Sequence, residues 1–320
     1  MAGGQERILR DRIRSVQATK KITRAMELIA ASRIVKAQQR VQAAVPYSEQ
    51  ITEVVKNLAA AGASSDSPLL AGRDAEATVG YVVITADRGL CGGYNSGVLR
   101  AVEGEIKQAA LAGKDHLTVA VGRKAESYLR FRGYKLDRTF SGFSDSPAYE
   151  NAREIADHVM GLYQEGRVDR VELVYTRFVS AGSQEVVQRP LVPLERELLG
   201  AGAPAAGAAA AGPTADYEYE PSPTAILDTL VPRYVEARTY AALLNAAASE
   251  HAFRQRAMKA ATDNADELIK TLSRIMNRAR QDSITTEIME IVGGAEALGA
   301  DKRGDDSIGY IYDLLDPQGV

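Results

Sequence analysis

The C-terminal part of the chain contains the feature that most constrains its fold. From residue 224 to about residue 297 the sequence has a single proline, Pro232, which lies in the first turns of this stretch. An uninterrupted helix over these residues would be about 110 Å long, because an α-helix rises about 1.5 Å per residue. A straight helix of that length does not fit within a compact domain of a 320-residue chain. The sequence therefore predicts an elongated element that needs a partner of matching length.

Apolar residues in this stretch follow the spacing of a left-handed coiled coil. Steps of three and four residues alternate from residue 258 to residue 279, and the pattern resumes at residue 284 after a five-residue shift. The predicted seam consists of Met258, Ala261, Ala265, Leu268, Leu272, Ile275, Ala279, Ile284, Ile288, Ile291 and Ala295. This pattern predicts a C-terminal coiled-coil helix over residues 224–298, followed by a tail over residues 299–320.

The N-terminal segment, residues 1–60, is predicted to form the second long helix. Apolar residues recur there at three- and four-residue steps between residues 5 and 58. Pro46 is expected to kink or interrupt this helix, because proline lacks a backbone N–H and clashes with the preceding turn. An isolated amphipathic helix is not stable, and the C-terminal helix is the only partner of matching length. We therefore expect the two terminal helices to form an antiparallel coiled coil.

Residues 76–223 differ in character and predict an open, largely parallel α/β (Rossmann-like) sheet domain that the two long terminal helices flank. Short runs rich in β-branched residues alternate with amphipathic stretches, as in strands buried between helices. We expect strands at 78–86, 116–121, 170–176 and 185–193 and helices at about 95–112, 122–132 and 148–165. Pro190 places the last strand at an edge, where a missing N–H is tolerated. Residues 200–215 are almost entirely Ala, Gly and Pro and are expected to form a mobile surface loop.

The sequence contains no recognisable catalytic, cofactor-binding or metal-binding motif. It has neither a phosphate-binding P-loop nor a nucleophile elbow, and the three histidines, His116, His158 and His251, are widely spaced. A single cysteine, Cys91, excludes an internal disulfide and a multi-cysteine metal site. No run of about 18 apolar residues is present, so we predict no membrane-spanning helix. A net charge of −3 argues against a general nucleic-acid-binding protein.

One glycine-rich turn, residues 87–95, follows the first predicted strand and precedes a helix. A dinucleotide-binding fingerprint occupies this place in the fold, but the spacing here is G-x-x-G-G rather than G-x-G-x-x-G. The sequence favours a tight strand-to-helix turn. Binding of a nucleotide or another anion at the helix N-terminus stays open as an alternative, and it would make this domain part of a nucleotide-dependent enzyme.

Positive charge is concentrated in the N-terminal helix. Residues 5–40 contain ten lysines and arginines against three acidic residues, a net charge of +7 that leaves −10 for the rest of the chain. One interpretation is a solvated helical face, and another is a positive surface that faces an acidic partner. A coiled-coil scaffold or DNA-binding protein is a further alternative, which predicts salt-sensitive DNA binding.

Four segments resemble the gamma subunit of F-type ATP synthases, and the resemblance runs from about residue 5 to residue 298. They are IRSVQATKKITRAMELIAASRIVKAQ, TADRGLCGGYN, DYEYEPSPTAILDT and the stretch from residue 249 to residue 298. The last segment ends in the family signature, in which Thr, Glu, an acidic residue and Gly-Ala follow an Ile or Val at fixed spacing. The signature is matched by Ile284, Thr285, Glu287, Glu290, Gly294, Ala295 and Ala297.

The resemblance implies a role as the non-catalytic central shaft of a rotary motor. In this family the coiled coil lies inside a hexamer of alternating alpha and beta subunits, and the α/β domain is a foot that stands on the c-ring beside the epsilon subunit. Ion-driven rotation of the ring turns the shaft, which couples rotation to ATP synthesis or hydrolysis. The resemblance thus implies a peripheral protein on the cytoplasmic side of the cell membrane, without catalytic residues, cofactors or metals of its own. A bacterial source is expected, since no clear transit peptide precedes the first helix.

Individual contact residues are implied by their positions in the matched segments. The neck region, which meets an acidic loop of the catalytic subunits, is matched by Lys20, Lys21, Arg24 and Met26. The polar contacts of the C-terminal helix with the hexamer are matched by Arg280, Gln281, Thr285, Glu287 and Glu290. The foot surface near the c-ring and the epsilon subunit is matched by Tyr217, Tyr219 and Glu220. The family commonly ends soon after the Gly-Ala motif, so we expect residues 299–320 to emerge from the distal end of the hexamer or to pack in its upper bearing.

Overall fold

The computed structural model describes residues 2–60, 69–70, 72–73, 76–194, 220 and 222–314, the last sixteen of these by their backbone alone. Three expectations fall outside the described residues: the loop at 200–215, the contact residues Tyr217 and Tyr219, and the tail residues 315–320.

The helices and strands of the described chain follow the predicted order, with one additional strand. They are α1 (Ala2–Ala60), β1 (Thr78–Ile84), α2 (Tyr94–Leu111), β2 (Asp115–Val121), α3 (Arg123–Phe131), β3 (Leu136–Phe140), α4 (Tyr149–Gln164), β4 (Arg170–Phe178), β5 (Gln184–Val192) and α5 (Pro223–Leu314). Within the described residues, no helix combines the length and the apolar character needed to cross a bilayer.

The strands form one sheet in the order β3-β2-β1-β4-β5. The first four strands of the chain are parallel, and β5 pairs antiparallel with β4. The predicted fold class, a largely parallel α/β sheet between two long terminal helices, is therefore confirmed. The strand that contains Pro190 lies at the edge of the sheet, as predicted. The central strand β1 has six buried residues out of seven, as expected for a strand that helices cover on both faces.

The strand β3 is the element that the sequence analysis missed. It has the sequence LDRTF, and only Phe140 in it is buried. It lies at the edge opposite β5, where β2 is its single partner strand. A short, partly charged edge strand lacks the continuous apolar run that marks a buried strand, so the sequence carries little signal for it.

Side chains alternate along the central strand, so that each face of the sheet has its own core. Tyr81 and Val83 of β1 pack on the face covered by α2 and α3, in a cluster that includes Val102. Val82 and Ile84 pack on the opposite face with residues from α4, α5 and the last turns of α1. The two terminal helices therefore contribute directly to the core of the α/β domain.

Pro46 does not interrupt the N-terminal helix, contrary to one of the two expectations for it. The helix α1 continues from Ala2 to Ala60 with Pro46 inside it. A proline in a helix interior costs about 3 kcal/mol. Beyond it, Ile51, Val55 and Leu58 are buried in the core, and each such side chain contributes about 1.5–3 kcal/mol. Burial of these turns therefore offsets the local cost of the proline.

The chain divides into two compact units, which we call the first unit (Met1–Arg24 with Ala260–Val320) and the second unit (Ala25–Lys259). In the first unit, Lys20 pairs with Asp266, and the hydroxyl oxygens of Thr23 and Thr262 are 2.8 Å apart in a hydrogen bond. Residue numbers rise along α1 as they fall along α5. The predicted antiparallel pairing of the two helices is therefore confirmed in this unit.

The buried face of α5 in the first unit differs in part from the predicted seam. Ala265 and Leu272 are buried as predicted, whereas Leu268 and Ile275 are 40% and 47% exposed. The polar residue Thr262 is buried in the seam instead. From Met258 the seam can continue either three residues on, at Ala261, or four residues on, at Thr262. The sequence pattern favoured Ala261 because Thr262 is polar, but Thr262 is the buried residue.

From Ile284 to Leu298, the large apolar side chains of α5 are exposed. Extending the register of the Lys20–Asp266 pair places Ala2, where α1 begins, opposite about residue 284. Ile284, Ile288 and Ile291 were predicted to lie in the seam, but all three are exposed. The prediction was wrong here because the apolar pattern continues beyond the reach of the described part of α1.

Candidate functional site

The carboxylate of Asp87 fills an anion-binding position at the carboxyl edge of the sheet, where open α/β domains bind ligands. Its side chain is 7% exposed. One oxygen accepts a hydrogen bond from the backbone N–H of Arg123 at the start of α3, at 3.2 Å. The other oxygen accepts from the backbone N–H groups of Gly142 and Ser144, at 2.8 and 3.0 Å. These amides are thus satisfied by the chain's own carboxylate, which argues against their binding a nucleotide phosphate.

The glycine-rich turn after β1 is tight and closed by side-chain hydrogen bonds. Leu90 and Gly92 have φ angles of 63° and 54°, a conformation that favours glycine. The side chain of Asn95 accepts from the backbone N–H of Ala86 at 2.9 Å and donates to the Sγ of Cys91 at 3.1 Å. Burial raises the pKa of the Cys91 thiol, which keeps it protonated and a poor nucleophile. This geometry supports a structural strand-to-helix turn.

A crevice of about 350 Å³ lies at the same sheet edge, within the second unit, between α1 and α5. Met26 and Ile29 of α1 are part of its lining. So are Glu250 and Arg254 of α5, which form a buried ion pair with 2.7 Å between nitrogen and oxygen. Arg254 also donates to the backbone carbonyl of Gly89 at 3.3 Å. Burial raises the pKa of Glu250, and the charge of Arg254 opposes that rise. These bonds fasten α5 to the glycine-rich turn.

The imidazole of His251, which also lines the crevice, makes a structural bond. The Nε2 of His251 donates to the backbone carbonyl of Asp145 at 3.0 Å, and burial lowers the pKa of this imidazole. It is therefore neutral near pH 7. Nowhere in the described ranges do three or more His, Cys, Asp or Glu side chains come together so that they could hold a metal ion.

The four neck residues on α1 differ in their surroundings. In the first unit, Lys20 is half-buried and is engaged by Asp266. Lys21 and Arg24 are exposed. Lys20 therefore contributes to the pairing of α1 with α5. In the second unit, Met26 is half-buried at the crevice.

The polar residues predicted on the C-terminal helix share one exposed region of the first unit. All five, Arg280, Gln281, Thr285, Glu287 and Glu290, are exposed. Large apolar residues lie among them and are also exposed: Ile284, Ile288, Met289, Ile291, Val292 and Leu298. The sequence analysis missed this apolar surface, because it assigned three of these residues to the coiled-coil seam. A contiguous exposed apolar patch marks an interaction surface.

The predicted foot residues are described only in part. Glu220 is exposed, and the two tyrosines near it lie outside the described residues. Elsewhere on the α/β domain, Leu111 and Phe131 are 88% and 87% exposed at the ends of α2 and α3.

Comparison with known proteins places these features in a family. The family model described as ATP synthase matches residues 5–298. The ATP synthase gamma chain of Parafrankia sp. is 51% identical over 301 residues, which cover 93% of this chain and 99% of that protein. The ATP synthase gamma chain of Mycolicibacterium smegmatis is 47% identical over 310 residues, with 92% and 98% covered.

Solved structures share the fold. A chain in the central stalk and c-ring structure of the Tetrahymena thermophila mitochondrial ATP synthase is 27% identical, with a TM-score of 0.55, and the match covers 75% of this chain and 99% of that one. A chain of the Euglena gracilis mitochondrial ATP synthase is 18% identical, with a TM-score of 0.67 over 94% and 96% of the two chains, and this match shows the fold alone. The protein described here belongs to the ATP synthase gamma chain family, the non-catalytic central-stalk subunits of that complex.

Proposed function

We propose that this chain is the central rotor shaft of an ATP synthase and couples ion-driven rotation of the c-ring to ATP synthesis and hydrolysis in the alpha–beta hexamer. The observation that carries this proposal is the apolar surface between Ile284 and Leu298, which no part of the described chain covers. An isolated helix of this kind is marginal in water. It therefore needs a surrounding partner, and a ring of hexamer subunits provides one.

The composition of this surface suits a rotating contact. Apolar side chains such as Ile288 and Ile291 supply non-directional stabilisation, because the hydrophobic effect depends on buried area rather than on bond geometry. Arg280, Gln281 and Glu287 lie among them and can form polar contacts at particular rotational positions. We propose that these residues, with Thr285 and Glu290, contact the hexamer.

The neck of α1 is proposed to face an acidic loop of the catalytic subunits. Lys21 and Arg24 are exposed on a helix segment with a net charge of +7, and such a field attracts acidic partners over about a Debye length. Met26, in the second unit, borders the crevice. Lys20 plays a different part in this proposal, since its ammonium group is engaged by Asp266.

The α/β domain, residues 76–223, is proposed to be the foot that contacts the c-ring and the epsilon subunit. Glu220 belongs to this contact, as do the two tyrosines of the matched segment. The chain would then be attached to the membrane through its partners, as a peripheral protein on the cytoplasmic side. The same proposal divides the terminal segments into an N-terminal helix at 1–60, a C-terminal helix at 224–298 and a tail at 299–320 in or beyond the upper bearing of the hexamer. The backbone of α5 continues as a helix through the first part of this tail, to Leu314.

A double substitution tests the hexamer contact. Replacing Ile288 and Ile291 with aspartate removes two apolar side chains that contribute about 1.5–3 kcal/mol each when buried. We expect binding of the full chain to an alpha–beta hexamer to weaken about 100-fold or more. The control is Leu111→Asp, which changes an even more exposed apolar residue, on α2, and should leave hexamer binding unchanged.

The contrary result would be unchanged hexamer binding by the double variant, measured with the helix content of the chain preserved. That result would show that the apolar surface between Ile284 and Leu298 does not contact the hexamer. A nucleotide-binding function of the α/β domain is the alternative, and the occupation of the sheet edge by Asp87 argues against it. Titration of the full chain with a nucleotide provides the direct check.

A further inference from the structure

The loop between β3 and α4, residues 141–148, contacts both terminal helices within the second unit. On the side of α1, the Nη1 of Arg33 donates to the Oδ2 of Asp145 at 2.5 Å. About two turns further along α1, Arg40 donates to the hydroxyl of Ser146 at 3.1 Å and to the backbone carbonyl of Pro147. Two of the ten basic residues between residues 5 and 40 therefore contact this loop.

The same loop is bonded to α5. The imidazole of His251 donates from Nε2 to the backbone carbonyl of Asp145 at 3.0 Å. Asp145 is thus held by α1 through its carboxylate and by α5 through its carbonyl. Directly after the loop, the hydroxyl of Tyr149 donates to the Oε2 of Glu236 on α5 at 2.7 Å, and burial with this carboxylate raises the pKa of Tyr149 to about 12.

A third set of bonds ties the loop to the central strand of the sheet. Asp87, which follows β1, accepts from the backbone N–H groups of Gly142 and Ser144. The backbone N–H of Asp87 donates in turn to the hydroxyl of Ser144 at 2.9 Å. One eight-residue loop therefore joins α1, α5 and the end of β1 by directional bonds.

We propose that the loop 141–148 is a latch that transmits torque between the α/β domain and the two terminal helices, with Arg33, Asp145 and His251 as its positioning residues. This inference rests on the proposed rotor function. Elsewhere, α5 is also bonded to the glycine-rich turn and to β4 through Arg254 and Ser249, while the last turns of α1 pack on the sheet through its apolar core. The loop is thus a place where directional bonds from both terminal helices and from the sheet meet. Apolar packing resists separation but is non-directional, whereas hydrogen bonds and ion pairs weaken steeply when their geometry changes. A latch of directional bonds therefore resists the sideways displacement that torque produces.

Amide hydrogen exchange tests whether Arg33 and Arg40 stabilise the loop 141–148. We expect Arg33→Ala/Arg40→Ala to raise the exchange rates of the Gly142 and Ser144 amides about two- to fivefold in the full chain, as expected for the loss of one partly exposed ion pair and of the hydrogen bonds of Arg40. The matched control is Arg138→Ala, which removes an ion pair to Glu154 of 2.9 Å that joins β3 to α4 and touches neither terminal helix. Unchanged exchange in the double variant would overturn the latch.

Rotational stiffness tests the mechanical part of the proposal. With the alpha–beta hexamer immobilised and a bead attached to the α/β domain, the double variant should show larger angular fluctuations in the paused complex than Arg138→Ala. The charge-swapped variant Arg33→Asp/Asp145→Arg should recover part of the stiffness. Normal assembly with unchanged fluctuations would refute the latch alone. Failure of the wild-type chain to assemble with the hexamer would refute the rotor function on which the latch rests.

Discussion

We interpret the carboxyl edge of the sheet around Asp87 as a structural junction rather than a ligand-binding site. Removing the carboxylate of Asp87 tests this interpretation quantitatively. This carboxylate accepts three backbone hydrogen bonds, from the N–H groups of Arg123, Gly142 and Ser144. A hydrogen bond to a charged group contributes about 1.5–3 kcal/mol. Arg123 and Gly142 are exposed. Water can therefore accept hydrogen bonds from their backbone N–H groups when the carboxylate is removed, which recovers part of the lost stabilisation. We therefore expect Asp87→Ala to lower the free energy of unfolding by about 2–4 kcal/mol.

Urea unfolding of the full chain, followed by circular dichroism, measures this loss as a lower transition midpoint at an unchanged slope. Asp87→Asn should cost less than Asp87→Ala, because the amide oxygen still accepts from Gly142 and Ser144. The control is Asp157→Ala, since Asp157 is 56% exposed and makes only a loose ion pair of 3.8 Å with Arg153. A loss below about 1 kcal/mol for Asp87→Ala would show that these bonds do not organise the junction.

Two further predictions concern backbone geometry and pH. Gly122→Ala should lower the free energy of unfolding by more than about 3 kcal/mol, because Gly122 has a φ of 93° and an added Cβ would lie 2.3 Å from the carbonyl oxygen of Thr85. Gly113→Ala, at a φ of 74° with open space around it, should cost only about 1–2 kcal/mol, and equal losses in the two variants would contradict this reasoning. Burial lowers the pKa of His251 in the folded chain, so the unfolded chain takes up a proton first as the pH falls below about 6.5. Stability should therefore decrease between about pH 7.5 and pH 5.5, and less steeply in His251→Gln; an identical slope in that variant, measured by urea unfolding, would assign the effect to other groups such as His116.

The interior strands can be predicted because their burial on both faces of the sheet leaves a recognisable pattern in the sequence. β1, β2 and β4 are consecutive neighbours inside the sheet, and burial on both faces demands a continuous apolar run. β3 lies at an edge and carries Asp137 and Arg138, so the same requirement does not apply to it. Pro46 illustrates the converse, because its strong local signal is overridden by the burial of Ile51, Val55 and Leu58 further along the same helix.

The sequence also reveals only some features of the candidate contact surfaces. Resemblance identified the polar positions around Glu287, and these are exposed as a contact requires. The apolar character of that surface could not be read from the pattern, because Ile288 fits a seam equally well whether or not α1 reaches it. Likewise, nothing in the sequence spacing indicates that Lys20 meets Asp266 across 246 residues, since that pairing depends on the register of two helices.

Purification of the chain with its partners tests the rotor function most directly. The tagged full chain would be recovered from mildly solubilised membranes, and the subunit stoichiometry and ATP hydrolysis of the particle would be measured. We predict that alpha, beta and epsilon subunits and the c-ring accompany it, with one copy of this chain for every three catalytic subunits. Recovery of the chain alone, or with no particle that hydrolyses ATP, would contradict the assignment of this protein as a central shaft.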